Sequence, residues 1–153
     1  MNITWKYLDK RAGAVEAIKD FESMKFFIDH TDDEIKSAYE KMSGVSSPQF
    51  DGMPHSHNPH AAEDRMVKGI EEIDVLKERY RQAVEYMAWF LPAWEELSED
   101  DRYVLDAFYS EDNDYGSNTV DAIADYFHIE RASAYRRKNR ALEKLTTLLF
   151  GKA

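Results

Sequence analysis

The stretch that decides the fold is TVDAIADYFHIERASAYRRKNRALEKL, residues 119–145. Val120, Ile123, Ala124 and Phe127 recur at the spacing of one helical face, with Asn118 or Thr119 placed to cap a short helix. His128-Ile129-Glu130 interrupts the period as a tight turn. A second helix is then expected from about Arg131 to Leu149, with Ala134, Ala141, Leu145 and Leu148 on its inner face. The opposite face carries Arg131, Tyr135, Arg136, Lys138, Asn139 and Arg140.

A short helix with a central alanine, a three- to four-residue turn and a longer basic helix make a helix-turn-helix pattern. Ala124 has to be small because the second helix crosses close by, and Ala134 allows the approach from the other side. Ile123, Phe127 and Ile129 wedge the pair at their crossing angle. The outer face of the second helix then projects where arginine reads guanine edges and Tyr or Asn reaches bases or phosphates in a major groove.

Working outward, Ser98 with Asp101 three residues on forms a capping-box variant, and Glu99, Asp100 and Asp101 suit the positive end of a helix dipole. Val104, Leu105 and Phe108 supply that helix's buried stripe, and Ser110–Asn118 breaks the chain again. Further upstream, a long helix is expected from about Ala61 to Leu91. Its apolar positions Met66, Ile70, Ile73, Tyr80, Val84, Met87 and Leu91 follow the a/d steps of a coiled coil, with Lys77 filling the missed step. A first helix is expected from about Thr4 to Asp29, using Trp5, Leu8, Val15, Ile18, Phe21 and Ile28. Thr31 with Glu34 has the form of a capping box, starting a further helix or a continuation to Met42. Between the long helices, Gly44, Pro48, Gly52, Pro54 and Pro59 mark a loop over residues 43–60. The pattern is all-α: a long N-terminal helical hairpin or coiled coil over residues 1–92, then a helix-turn-helix domain over 93–153. The a/d stripe suits an intramolecular hairpin and a homodimer equally.

The 153 residues contain no cysteine, which excludes disulfide frameworks, thiolate zinc sites and thiol catalysis. No apolar stretch approaches the roughly 20 residues of a membrane helix. The charged N-terminus lacks a signal-peptide core, so a cytoplasmic location is the expectation. The net charge of −10 argues against nucleic acid only as a sum. Residues 1–94 carry 12 bases and 17 acids, and residues 95–130 carry Arg102 against 12 acids. Residues 131–153 carry seven bases against Glu143 alone. The basic segment coincides with the outer face of the last helix.

LSEDDRYVLDAFY, residues 97–109, followed by residues 119–145 resembles region four of bacterial sigma factors. The whole chain resembles phage-encoded sigma-like regulators of the ArpU and RinA type, which pair helical N-terminal regions and a loop such as SGVSSPQFDGMP with a C-terminal helix-turn-helix. The resemblance implies a non-enzymatic regulator of late phage genes that binds double-stranded DNA, with RNA polymerase as a partner, a homodimer as one assembly, and no cofactor or membrane. Arg131, Ala132, Tyr135, Arg136 and Asn139 match the family's DNA-facing positions. Arg131 and Arg136 would read bases, Tyr135 and Asn139 assist, and Arg137, Lys138 and Arg140 clamp phosphates. Two positions depart from the family. His128 stands where glycine is usual and positive φ is needed, and Arg137 stands at a usually apolar inner position.

Other readings use the same residues differently. A protein-interaction module, or a packaging protein of the small-terminase kind, can join a helix-turn-helix to oligomerising helices. His55, His57 and His60 are the only metal-like cluster, and without rigid ligand spacing a His-rich polar loop is the better account of them. No phosphate-binding glycine loop, nucleophile motif or zinc-protease motif points to an enzyme. Trp89, Phe90 and Trp94 suit a hydrophobic joint to the C-terminal part, or a docking patch for polymerase or a second subunit.

Overall fold

The computed structural model describes residues 9–44, 59–110 and 117–152. Among the described residues all regular structure is helical: α1 Lys10–Met42, α2 Ala61–Glu96, α3 Glu99–Tyr109, α4 Ser117–Phe127 and α5 Arg131–Phe150. The chain divides into two compact units. One joins the residues up to Ser23 with those from Tyr86 onward, and the other is Met24–Glu85.

α1 begins where Asp9 accepts the Ala12 amide at 3.0 Å, an N-cap interaction. The expected start near Thr4 falls outside the described residues. Of the two alternatives at Thr31, a new helix or a continuation to Met42, the continuation is formed. Thr31 is 1% exposed and its hydroxyl donates to the Phe27 carbonyl one turn back. That bond satisfies the hydroxyl inside a continuous helix, so no cap is formed. α2 also runs beyond its expected end, passing through Pro92 to Glu96. An internal proline costs about 3 kcal/mol. Ala93 and Leu97, buried just beyond it, offset that cost by packing.

The buried stripe of α2 is not the expected one. Gly69, Ile73, Leu76, Ala83, Phe90 and Ala93 are buried, whereas Met66, Ile70, Tyr80, Val84 and Leu91 are exposed. Only Ile73 belongs to both sets. Three of the six, Gly69, Ala83 and Ala93, are small, and a hydrophobicity count passes over them.

In the Met24–Glu85 unit, a Cβ on Gly69 would sit 2.1 Å from Met42 Cγ, so only glycine admits that side chain. The Arg79 guanidinium pairs with Glu34 and lies 4.4 Å from the Phe27 ring centroid. The pairs Glu34–Arg79 and Met42–Gly69 run in opposing chain order.

The other unit is built around α5. Ala141, Leu142 and Leu145 pack with Ala14, Ala17 and Ile18 of α1, Phe90, Ala93 and Leu97 of α2 and Leu105 of α3. Tyr86 donates its hydroxyl to the Ala17 carbonyl, and burial, helped by nearby Asp20, pushes its pKa up. Trp89 donates to the Leu149 carbonyl at 3.3 Å and meets the Phe150 ring edge-on at 5.6 Å. Phe150 in turn lies against Gly13, where an added Cβ would stand 3.0 Å from its ring. Of the aromatic run at the end of α2, Phe90 is in the core of this unit and Trp94 packs against it, whereas Trp89 is 41% exposed. A second cluster joins Val104 and Phe108 of α3, Val120, Ile123 and Ala124 of α4 and Ala134 of α5.

Leu142 rather than Leu148 completes the inner face of α5: Leu142 is 1% exposed and Leu148 41%. Leu142→Ala should therefore lower unfolding free energy by about 2–5 kcal/mol, and Leu148→Ala by less than about 1 kcal/mol. Urea denaturation of the two variants checks the order, and equal losses would contradict this orientation of α5.

Candidate nucleic-acid interface

The interface rests on how α4 hands the chain to α5. The His128 amide donates to the Asp125 carbonyl at 3.3 Å, and the Ile129 amide to the Ala124 carbonyl at 2.9 Å. His128 has φ 53°, the left-handed conformation between these two bonds. The pair of bonds is a Schellman motif, which ties off the last carbonyls of α4. Ile129 packs against the second cluster, to which Ala124 belongs, in keeping with the apolar contact that accompanies this motif. Glu130 is then extended at ψ 156°, and its carbonyl accepts the Ala134 amide at 3.0 Å to start α5. The turn lies where the sequence places it, with histidine in the conformation glycine favours.

α3 is capped as expected: Ser98 Oγ accepts the Asp101 amide at 3.2 Å. Its buried residues are Val104, Leu105 and Phe108. Burial of Ala134 beneath α5 turns Arg131, Ala132, Tyr135, Arg136, Asn139 and Arg140 to the exposed side.

These side chains are not equally available. Arg136 and Arg140 are exposed, and neither has a hydrogen-bond or ion-pair partner among the described residues. Arg131 Nε lies 3.3 Å from Asp121 Oδ1, an exposed pair worth at most about 1 kcal/mol. Tyr135 keeps its outer edge in solvent, with its ring 6.2 Å from that of Phe108. Asn139 accepts a 2.6 Å hydrogen bond from Arg11 of α1.

Lys138 is only partly on the outer face. Its ammonium sits 5.1 Å from the Phe108 ring centroid, 5.5 Å from Tyr135 and 5.9 Å from Tyr109. Burial and then the neighbouring Arg11 push its pKa down. Arg137, at the position expected to be apolar, does not disturb the packing. Its guanidinium lies 4.1 Å from the Phe127 ring centroid and 3.7 Å from Asp100. The side chain is partly exposed and its charge is met by an aromatic face and a carboxylate.

Two further cations, Lys144 and Arg11, belong to this surface although the sequence assigns them no binding role. Lys144 lies four residues beyond Arg140, a spacing visible in the helical period. Arg11 lies 128 positions from Asn139 and has no local signal. Of the metal-like histidines, His55 and His57 fall outside the described residues. His60 pairs with Glu63 at 3.4 Å, both exposed. Among the described residues no group of three His, Cys, Asp or Glu side chains is placed to hold a metal ion.

No family model matches the chain, and no characterised protein or solved structure is significantly similar to it.

The strained turn residue gives a direct check. His128→Gly should raise stability by about 0.5–1 kcal/mol, because glycine tolerates positive φ. His128→Val should lower it by more than 1 kcal/mol or so, since a β-branched residue resists this conformation. Thermal denaturation of both variants measures the two shifts, and a destabilised His128→Gly would contradict the turn.

Proposed function

We propose that the protein is a phage-type transcriptional regulator that binds double-stranded DNA through a helix-turn-helix formed by α4 and α5. The observation that carries this reading is the exposed row of Arg131, Tyr135, Arg136 and Arg140. It stands on a helix that enters from a Schellman turn and is braced from behind by α3. A helix held in this way can lie in a major groove while its outer arginines meet guanine edges. Arg136 leads base reading because nothing among the described residues holds it back. Arg131 joins once its exposed pair with Asp121 opens. Tyr135 supplies a hydroxyl, and Asn139 contributes after exchanging its bond to Arg11. Arg137, Lys138 and Arg140 face the phosphates, with Lys138 restrained by its aromatic seat. The resemblance of residues 97–109 and 119–145 to region four of sigma factors supports RNA polymerase as a partner, and that of the chain to ArpU- and RinA-type regulators supports late phage genes as targets.

α1 and α2 act in this reading as a helical hairpin that also dimerises the protein. Met66, Ile70, Tyr80 and Val84 lie exposed along one face of α2 at heptad spacing with Lys77 between them, while Ile73 of the same stripe is buried within the chain. The exposed positions of this row on one copy are self-complementary to the same positions on another, so a second copy is their occupant. Two DNA-binding units on one dimer compensate for the weak non-specific attraction of a chain with net charge −10.

Sedimentation of the wild-type chain should give a dimer, and Ile70→Lys with Val84→Lys a monomer of unchanged helicity; a wild-type monomer at high micromolar concentration contradicts the dimer. Binding of labelled fragments from the gene's own genomic neighbourhood should be sequence-selective and fall steeply with salt. Arg136→Ala should cost about 1–3 kcal/mol on the preferred site and relax sequence preference. Unchanged affinity and preference would remove Arg136 from base reading, and absence of DNA binding at low salt would favour a protein-interaction module. A ring-sized oligomer would favour a packaging role.

A further inference from the structure

Where the first turn of α3 faces α5, a cleft of about 380 Å³ is lined by Asp101, Arg137, Arg140 and Lys144. The three cations occupy positions i, i+3 and i+7 of α5, which share one helical face. Asp100 lies 3.7 Å from Arg137, and Asp101 lies 4.0 Å from Lys144. Asp101 is held in place by the Ser98 cap at its own amide. Arg140 has no carboxylate within ion-pair distance among the described residues. The arrangement therefore contains three converging cations, two oxyanions already against two of them, and one unit of positive charge left over.

We propose that this cleft is a backbone-phosphate site for nucleic acid, in which Asp100 and Asp101 stand in for the phosphate until DNA displaces them. The inference rests on the DNA-binding reading above and adds Lys144 and the two aspartates to it. A carboxylate and a phosphate diester offer these cations the same kind of oxygen acceptor. Contacts of 3.7 and 4.0 Å between partly exposed groups are weak and exchange readily with solvent. The exchange has a directional consequence. Every phosphate placed in the cleft must expel a carboxylate, so counterion release from the DNA is partly cancelled inside the protein. Non-specific binding is weakened, while a site that also engages Arg136 retains enough affinity to complete the exchange. The aspartates thus raise discrimination without touching a base.

The test uses the full chain, a labelled duplex and a salt series read by fluorescence anisotropy. Asp100→Asn with Asp101→Asn should tighten binding to non-specific duplex by about 3- to 10-fold and steepen the salt dependence. Glu95→Gln with Glu96→Gln changes the charge equally outside the cleft and should shift affinity by less than about 2-fold. Lys144→Gln should weaken binding by a similar factor on all sequences, reducing the salt slope by about 0.9. Arg140→Gln serves as a second variant on an exposed side chain. If both acid-neutralising pairs tighten binding equally, the aspartates are not competitors and the proposal falls. If Arg136→Ala weakens binding but Lys144→Gln and Arg140→Gln do not, DNA binding stands and the cleft does not. If no variant binds duplex at low salt, the DNA reading itself falls. If pyrophosphate shifts the amide resonances of residues 137–147 while duplex does not bind, the cleft takes free phosphate, and the assignment to nucleic acid is overturned.

Discussion

Burial of Ala134, Ala141, Leu142 and Leu145 sets the rotation of α5 about its own axis, and that rotation decides which cations reach solvent. The four residues meet two clusters: α3 and α4 around Ala134, and α1, α2 and α3 around the other three. A helix held at both ends of its inner face cannot turn by a residue without exposing leucine and burying arginine. Desolvating an unpaired guanidinium costs several kcal/mol, so the packing also protects the surface chemistry. Arg137 lies at the edge of this constraint. Its guanidinium lies over the Phe127 ring and within reach of Asp100, which makes a cation tolerable where an apolar side chain would be ordinary.

The electrostatics of the outer face follow from its neighbours rather than from α5 alone. Asp121 of α4, Asp100 and Asp101 of α3 and Arg11 of α1 each reach a different side chain of the helix. The acidic segment that gives the chain its net charge of −10 is therefore partly folded against its basic end. Charge that looks segregated along the sequence is interleaved in space. Arg136, without such a partner among the described residues, keeps its full donor set.

Much of the C-terminal arrangement was legible in the residues because its determinants are local. Ser98 caps α3, the buried stripe of that helix is the expected one, and His128 takes the positive φ required of a turn residue. The long helices were read less well. Thr31 and Pro92 are local stop signals overridden here, Thr31 by a back-bond to the preceding turn and Pro92 by the packing that follows it. The contact line of α2 was misplaced because Gly69, Ala83 and Ala93 contribute by being small, and smallness carries no hydrophobic signal. Leu142 was passed over in favour of Leu148 for a related reason: both fit a helical face, and only the neighbours distinguish them.

By itself the sequence determined the all-α class seen among the described residues, the position of the turn after α4 and the concentration of cations on the last helix. Caps, turn residues and periodicity act over a few residues and are written in order along the chain. Only the tertiary structure decided that the first part of α1 and the end of α2 pack with α3–α5, that Arg11 occupies Asn139, and that Asp100 and Asp101 lie against Arg137 and Lys144. Those contacts join residues far apart in the chain. They depend on side-chain volume and on the rotation of each helix, which no local spacing encodes.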